Sequence, residues 1–328
     1  MYAIQVDEAT PERTLHWQPV DAPIPAPDEV LVDVVATALN RADLMQRKGN
    51  YPPPPGVADI MGLEMAGRVA ALGTEVTGWQ VGDAVCALLP GGGYAEQVTV
   101  PAAMLMPIPT GWTFAQAAGL PEVFLTAHVN MFMEAALQPG ERILVHGGAS
   151  GVGTAAIQLA KAAGNPIYVT AGSEEKVQAC RDLGAELAIN YGTTDFVEAV
   201  RDATDGAGVD VIMDMVGADY FARNLELLRV RGRLVFIATL SGAETALNIS
   251  ALMGRRLRLI GSVLRPRPVV EKIAIKDDFL RRFGSGIEKG TIQPVIDRIF
   301  PIAQANEAQA HMAANRNIGK IILQVREE

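Results

Sequence analysis

Over the first 125 residues, apolar and polar positions alternate in short runs, each ended by a cluster of turn-forming residues. Tyr2–Val6, Val30–Ala36, Glu64–Leu72 and Tyr94–Val100 read as strands, cut apart by Pro25–Asp28, Asn50–Gly56 and Pro90–Gly93. This predicts a β-rich, barrel-like module. At Arg142 the pattern changes to continuous apolar runs at 142–147, 166–172, 186–190, 209–217 and 233–238. Helix-length segments separate them, over 152–164, from Glu174, near 195–204 and near 220–228. Buried strands alternating with helices predict a parallel sheet covered on both faces, and Leu257–Ser262 supplies a sixth strand of a doubly wound sheet.

Beyond Val263 come a charged helical stretch, Val270–Lys289, a strand at Val295–Phe300, a helix over 304–314 and a last strand, Ile321–Val325. This tail is too short for a core of its own and is expected to return to the N-terminal module. The parallel-sheet domain is then an insertion within a discontinuous one.

Composition narrows the class. The 328 residues, 49% hydrophobic and 20% charged, suffice for two domains, and a net charge of -9 repels a phosphate backbone, so nucleic acid is not an expected partner. Cys86 and Cys180 offer no disulfide framework and no paired-cysteine motif. The start of the chain has no apolar run of signal-peptide length, and no charge-free stretch is long enough for a membrane span, so a cytoplasmic protein with no membrane partner is expected.

The strongest chemical signal is Val145–Gly153, reading Val-His-Gly-Gly-Ala-Ser-Gly-Val-Gly. It follows an apolar strand and opens a helix, the context of a phosphate-binding glycine turn. Gly148 and Gly151 are assigned to turning the backbone toward a pyrophosphate, and Gly153 to seating the helix on the sheet. The N–H groups of Ser150, Gly151 and Val152 lie at the positive end of that helix and are expected to receive the phosphates.

About 20 residues beyond the glycines, NAD-preferring sites present an acid to the ribose hydroxyls, and here Ser173 stands in that place. With Lys176 one turn into the next helix and Tyr191 at the end of the next strand, the position favours a 2′-phosphate and hence NADPH. The competing reading has Glu174 or Glu175 turning back to the ribose while Lys176 faces solvent; acids in a first helical turn are common for dipole reasons alone.

His16, His128, His146 and His311 are scattered at no metal-binding spacing, so no metal site is expected. His146 reads as a packed or capping residue, and Met131, Phe132 and Met133 as core. Neither a nucleophile elbow nor a close carboxylate pair is present. Hydride transfer needs neither, because the cofactor carries the chemistry.

At this point the chain resembles the zinc-independent quinone oxidoreductases of the medium-chain dehydrogenase/reductase superfamily, and within them the p53-inducible quinone oxidoreductase-like branch. The residues carrying the match are 38–56 (ALNRADLMQRKGNYPPPPG), 61–69 (MGLEMAGRV), 81–101, 150–161 (SGVGTAAIQLAK), 169–176 (VTAGSEEK) and 315–325 (NRNIGKIILQV), so it runs through essentially the whole chain. The resemblance implies a GroES-like β-barrel catalytic domain from 1–124 and 266–328, and a Rossmann NADP-binding domain from 125–265, with NADPH in the cleft between them. It implies that Asn40, Tyr51 and Thr126 lie near the nicotinamide and the substrate. Likewise Ser150, Gly151 and Val152 would meet the pyrophosphate, Gly172, Ser173, Lys176 and Tyr191 the adenosine phosphate, and Asn317 the cofactor from the C-terminal side. A homodimer is also implied.

The sequence departs from the zinc-dependent relatives at two ligand positions. Their GHE motif reads Gly62-Leu63-Glu64 here, and Asn40 replaces their cysteine. Glu64, left without a histidine, is expected to be structural. The resulting expectation is an NADPH-dependent reductase of a small electrophilic, quinone-like acceptor. Tyr51 is either a proton donor or an aromatic packed on the proline run Pro52–Pro55. Reduction of an activated C=C bond in an enone or enoyl thioester stays open as an alternative, as does an NADPH-binding redox-sensing or interaction protein without turnover.

Overall fold

The computed structural model describes residues 1–327, and the chain divides into two compact units, Met1–Leu125 with Arg265–Glu328, and Thr126–Leu264. In chain order the elements up to the boundary are β1 (Tyr2–Val6), β2 (Leu15–Pro19), β3 (Glu29–Ala38), α1 (Arg41–Arg47), β4 (Glu64–Leu72), β5 (Ala84–Leu88), β6 (Gln97–Pro101), β7 (Met106–Pro107), α2 (Phe114–Ala118) and α3 (Pro121–His128). The second unit contains β8 (Ile143–His146), α4 (Gly151–Ala163), β9 (Ile167–Ala171), α5 (Glu174–Leu183), β10 (Leu187–Asn190), α6 (Phe196–Ala203), β11 (Val209–Asp214), α7 (Ala218–Leu227), β12 (Leu228–Phe236), α8 (Ile249–Arg255) and β13 (Arg258–Gly261). The chain returns to the first unit through α9 (Val269–Glu288), β14 (Ile296–Pro301), α10 (Ala305–Ala313) and β15 (Lys320–Gln324).

In the first unit, β3 is the organising strand. Its alternate residues Val30, Val32 and Val34 are buried, the period-two signature of a strand with one face on a core. It pairs antiparallel with β4, β6 and β15, within a seven-stranded sheet whose main path runs β14-β15-β3-β4-β5-β7. The C-terminal tail is bound in through β15 and through a shared core in which Ile302, Ala305, Met312, Ile321 and Leu323 pack with Ile4, Leu39, Met61 and Tyr94. Each buried isoleucine, leucine or methionine side chain among them contributes about 1.5–3 kcal/mol.

The strand expected at Tyr94–Val100 begins only at Gln97. Tyr94 instead hydrogen-bonds through its N–H to Met61 O, and its phenol donates to Asp43 at 2.8 Å. A buried hydroxyl must find a partner, and that requirement overrides strand propensity. β2, β5, β7, α1, α2, α3 and α8 are further elements that the hydrophobic pattern did not single out.

The second unit holds a six-stranded parallel sheet in the order β10-β9-β8-β11-β12-β13, the doubly wound arrangement. β8 is buried at every position, as a strand with helices on both faces requires. Among the described residues no helix is long and apolar enough to cross a membrane.

Candidate active site

The glycine turn lies where β8 gives way to α4. Ser150 is the helix N-cap: its Oγ accepts the Gly153 N–H at 3.0 Å and its carbonyl accepts the Thr154 N–H. The N–H groups of Gly151 and Val152, at the first two helical positions, are those a helix start leaves without an intrahelical acceptor. Close approach explains two glycines: a Cβ on Gly148 would stand 2.5 Å from Val169 Cβ, and one on Gly153 2.3 Å from Gly147 O. Gly148 thus seats the turn on β9, a packing task beside the phosphate-facing one assigned from the motif. With amide donors, a positive helix end and no side chain in the way, this turn fits a dinucleotide pyrophosphate.

At the end of β9 the structure brings together Gly172, Ser173, Lys176 and Tyr191. Ser173 caps α5 by accepting the Lys176 N–H at 3.3 Å, which places the Lys176 side chain in the first turn. The Tyr191 hydroxyl closes over Gly172, 2.6 Å from where a Cβ would stand, and the residue is 52% exposed. The Glu174 carboxylate accepts a hydrogen bond from Asn190 Nδ2 at 2.7 Å, so this acid is turned toward β10.

In the first unit Asn40 sits in a buried triangle. Its Nδ2 donates to Glu64 Oε1 at 2.9 Å, its Oδ1 accepts from Lys320 Nζ at 2.8 Å, and Lys320 lies 2.7 Å from Glu64 Oε1. Lys320 spends a further donor on Leu39 O, and the other Glu64 oxygen accepts the Glu122 N–H at 2.8 Å. Every strong group of the triangle is satisfied, which is the condition for ions this deeply buried.

Tyr51 lies beside a second group of charges. The Arg265 guanidinium stands 5.0 Å from the Tyr51 ring centroid and donates to Tyr51 O, to Pro90 O and to Gln46 Oε1, while Lys272 Nζ donates to Arg265 O. Burial, then the Glu122 charge, pushes the Tyr51 phenol up, so it stays protonated at neutral pH. Burial, and secondarily Glu64, pushes Glu122 up to about 8. Asp43 is pushed up to about 6 by burial; its Oδ2 accepts from Tyr94 and from the Asn40 N–H, and its buried Oδ1 has no hydrogen-bond partner.

The remaining predicted residues are committed locally. Thr126, on α3, is half-buried and its carbonyl accepts from Asn130 Nδ2. Asn317 is buried and donates to Gly319 O at 2.8 Å, folding the loop ahead of β15. Sequence reasoning missed Asp43, Glu122, Arg265, Lys272 and Lys320. Lys320 carried a readable signal, a lone cation inside the apolar run 318–325, and Glu64 its counterpart, a lone acid within 61–67.

The place of a catalytic zinc does not fit that ion. Leu63 offers no donor, Asn40 is held by its two partners, and the Glu64 carboxylate already faces an ammonium. Cys86 is buried and pushed up to about 12 by burial and by Glu64, so it does not present a thiolate. Among the described residues no three histidine, cysteine or acidic side chains gather as a metal site.

A doubly wound sheet with a glycine turn, joined in sequence to a GroES-like unit, defines a nicotinamide-dependent oxidoreductase. Residues 26–110 match the alcohol dehydrogenase GroES-like domain family and residues 151–276 the zinc-binding dehydrogenase family. The chain is 35% identical over 312 residues to a quinone oxidoreductase of Pseudomonas aeruginosa, covering 94% of this chain and 93% of that protein. It is 30% identical to a 2-haloacrylate reductase of Burkholderia sp, covering 94% of each. Its fold is similar to that of the CurK enoyl reductase, with a TM-score of 0.87, 28% identity and 98% of each chain covered. The protein belongs to the medium-chain dehydrogenase/reductase superfamily, whose members bind NAD(P)H.

Proposed function

We propose that the protein is an NADPH-dependent, zinc-independent quinone oxidoreductase. The observation that carries this reading is the Asn40–Glu64–Lys320 triangle. Oxidising an alcohol requires a group that takes the hydroxyl proton, and here the carboxylate and the amide are already bound to one another and to a lysine. A quinone asks for less: one hydride alone gives the hydroquinone monoanion, and one proton then completes the hydroquinone.

When bound, NADPH supplies the hydride. In this reading the N–H groups of Gly151 and Val152 hold its pyrophosphate, the Ser150 N–H expected to join them being donated instead to Gly147 O at 2.9 Å, and Ser173, Lys176 and Tyr191 receive the 2′-phosphate. The turn of Glu174 toward Asn190 supports the choice of NADPH, since that acid is engaged away from a ribose. Asn40, Thr126 and Asn317 keep the places near the cofactor that the resemblance gives them. Tyr51 carries a proton at neutral pH and is assigned as the donor that meets the negative charge developing on the acceptor oxygen.

The names of the 2-haloacrylate reductase and the CurK enoyl reductase favour a second reading, reduction of an activated C=C bond. It uses the same hydride and proton. A panel of quinones, alkenals and enoyl thioesters, each with NADPH and NADH, separates the two. Quinone turnover with NADPH supports the first reading, alkene turnover alone the second, and cofactor binding without any oxidation a non-catalytic protein.

A further inference from the structure

The strand order of the parallel sheet reverses between β8 and β11, and the turns that follow these two strands flank the crevice in which doubly wound folds bind ligands. A line of side chains joins the two turns. His146 Nδ1 lies 3.1 Å from Thr170 Oγ1, His146 Nε2 lies 2.8 Å from Asn224 Oδ1, and Asn224 Nδ2 donates to Asp214 Oδ2 at 3.1 Å. At one end Thr170 holds the glycine turn: its carbonyl accepts the Gly148 N–H at 2.8 Å and its Oγ1 the Gly147 N–H at 3.4 Å. At the other end the Asp214 carboxylate accepts the N–H groups of Val216 and Gly217.

The line has one polarity. A carboxylate only accepts, so Asn224 must turn its NH2 to Asp214 and its oxygen to His146; the ring then carries its proton on Nε2, and Nδ1 accepts from the Thr170 hydroxyl. Phe196 and Tyr220 stand edge-on to the fully buried imidazole, at 5.0 and 4.8 Å between ring centroids. Burial pushes His146 down to about 4, so it stays neutral. The two turns also touch directly: Gly147 has φ +73°, and a Cβ there would stand 2.9 Å from Met215 Sδ.

We propose that Thr170, His146, Asn224 and Asp214 are positioning residues that hold the two turns in register for dinucleotide binding, so that cofactor affinity depends on side chains facing away from the ligand. The proposal rests on dinucleotide binding at the glycine turn. It differs from the assignment of the 2′-phosphate site in acting on NADPH and NADH alike.

Calorimetric titration of wild type, Thr170→Val, Thr170→Ser and Asn224→Asp with each cofactor tests it. Thr170→Val keeps the shape and removes the hydroxyl, and should weaken both cofactors by about tenfold, whereas Thr170→Ser should stay within about twofold of wild type. Asn224→Asp sets a second acceptor against Asp214 and should weaken both to a similar degree. Nitrogen-15 NMR of the wild-type ring should show the proton on Nε2 at neutral pH. Wild-type affinity in folded Thr170→Val or in Asn224→Asp overturns the proposal, and so does a wild-type ring protonated on Nδ1 or on both nitrogens. Should Thr170→Val fail to fold, the Ser and Asp variants and the ring tautomer still decide. A wild type that binds neither cofactor instead overturns the glycine-turn reading, which the ring tautomer does not depend on.

Discussion

The Lys320 ammonium lies 2.7 Å from the Glu64 carboxylate with neither residue exposed, although 256 residues separate them in the chain. The contact ties β15, the last strand, to β4, and its third member, Asn40, caps α1. Lys320→Met leaves a buried carboxylate without its cation and should cost about 3–5 kcal/mol in denaturant unfolding. Lys320→Met combined with Glu64→Gln should recover at least half of that loss, because the new amide oxygen can accept the Glu122 N–H while its NH2 donates to Asn40 Oδ1, which loses Lys320 and can flip to meet it. Equal loss in the single and double variants would show that the ion pair is not what sets the cost.

Glu122 gives a pH prediction. Its folded-state value of about 8 lies above that of an unfolded glutamate, so the folded state binds the proton more tightly. Stability from this group is fully present below the unfolded value of about 4.3 and is lost as pH rises through 8. Glu122→Gln, which cannot ionise and keeps the backbone bond to Glu64, should therefore gain stability on wild type between pH 4 and pH 9, by up to about 5 kcal/mol. Parallel melting at both pH values checks it; a difference that does not change with pH contradicts the raised value.

Cofactor choice is tested at Lys176. If its ammonium meets the 2′-phosphate, Lys176→Ala should raise the Kd for NADPH about tenfold or more and leave NADH nearly unchanged, a charge-assisted hydrogen bond contributing about 1.5–3 kcal/mol. Equal loss for both cofactors would return Lys176 to a structural role.

The parallel sheet was legible because its strands centre on short apolar runs and most of its helices open on a side-chain cap, Ser150, Ser173, Asp195 and Asn248. Local signals specify local elements. The first unit was harder: β5 and β7 are too short to show a clear alternation, and Tyr94 turns out of the expected strand to reach Asp43, 51 residues away. The phosphate-binding end of the site was legible for the same reason as the sheet, since turn and cap are contiguous in sequence. The charged groups around Tyr51 were not, because Glu122, Arg265 and Lys272 acquire their meaning only when β15 and α9 return to the first unit. Glu64 illustrates the limit: its lost histidine marked it as structural, while its partner lay at the far end of the chain.

Tyr51→Phe separates proton delivery from packing. The ring and its contact with Arg265 survive the change, so cofactor affinity and stability should hold while kcat falls by about tenfold or more, general acid catalysis contributing typically 10²–10⁴-fold. Unchanged kcat across the pH range would leave Tyr51 as an aromatic packed beneath Arg265 and beside the prolines.

The central claim is hydride transfer from NADPH to a quinone without zinc. Its most direct measurement is the rate of NADPH oxidation, followed by loss of the nicotinamide absorbance, with simple quinones and with primary alcohols run in the reverse direction with NADP, in the presence and absence of a zinc chelator. The account predicts quinone-dependent oxidation that the chelator leaves unchanged, faster with NADPH than with NADH, and no alcohol oxidation. Alcohol turnover abolished by the chelator, or no quinone reduction by protein that binds NADPH, would contradict it.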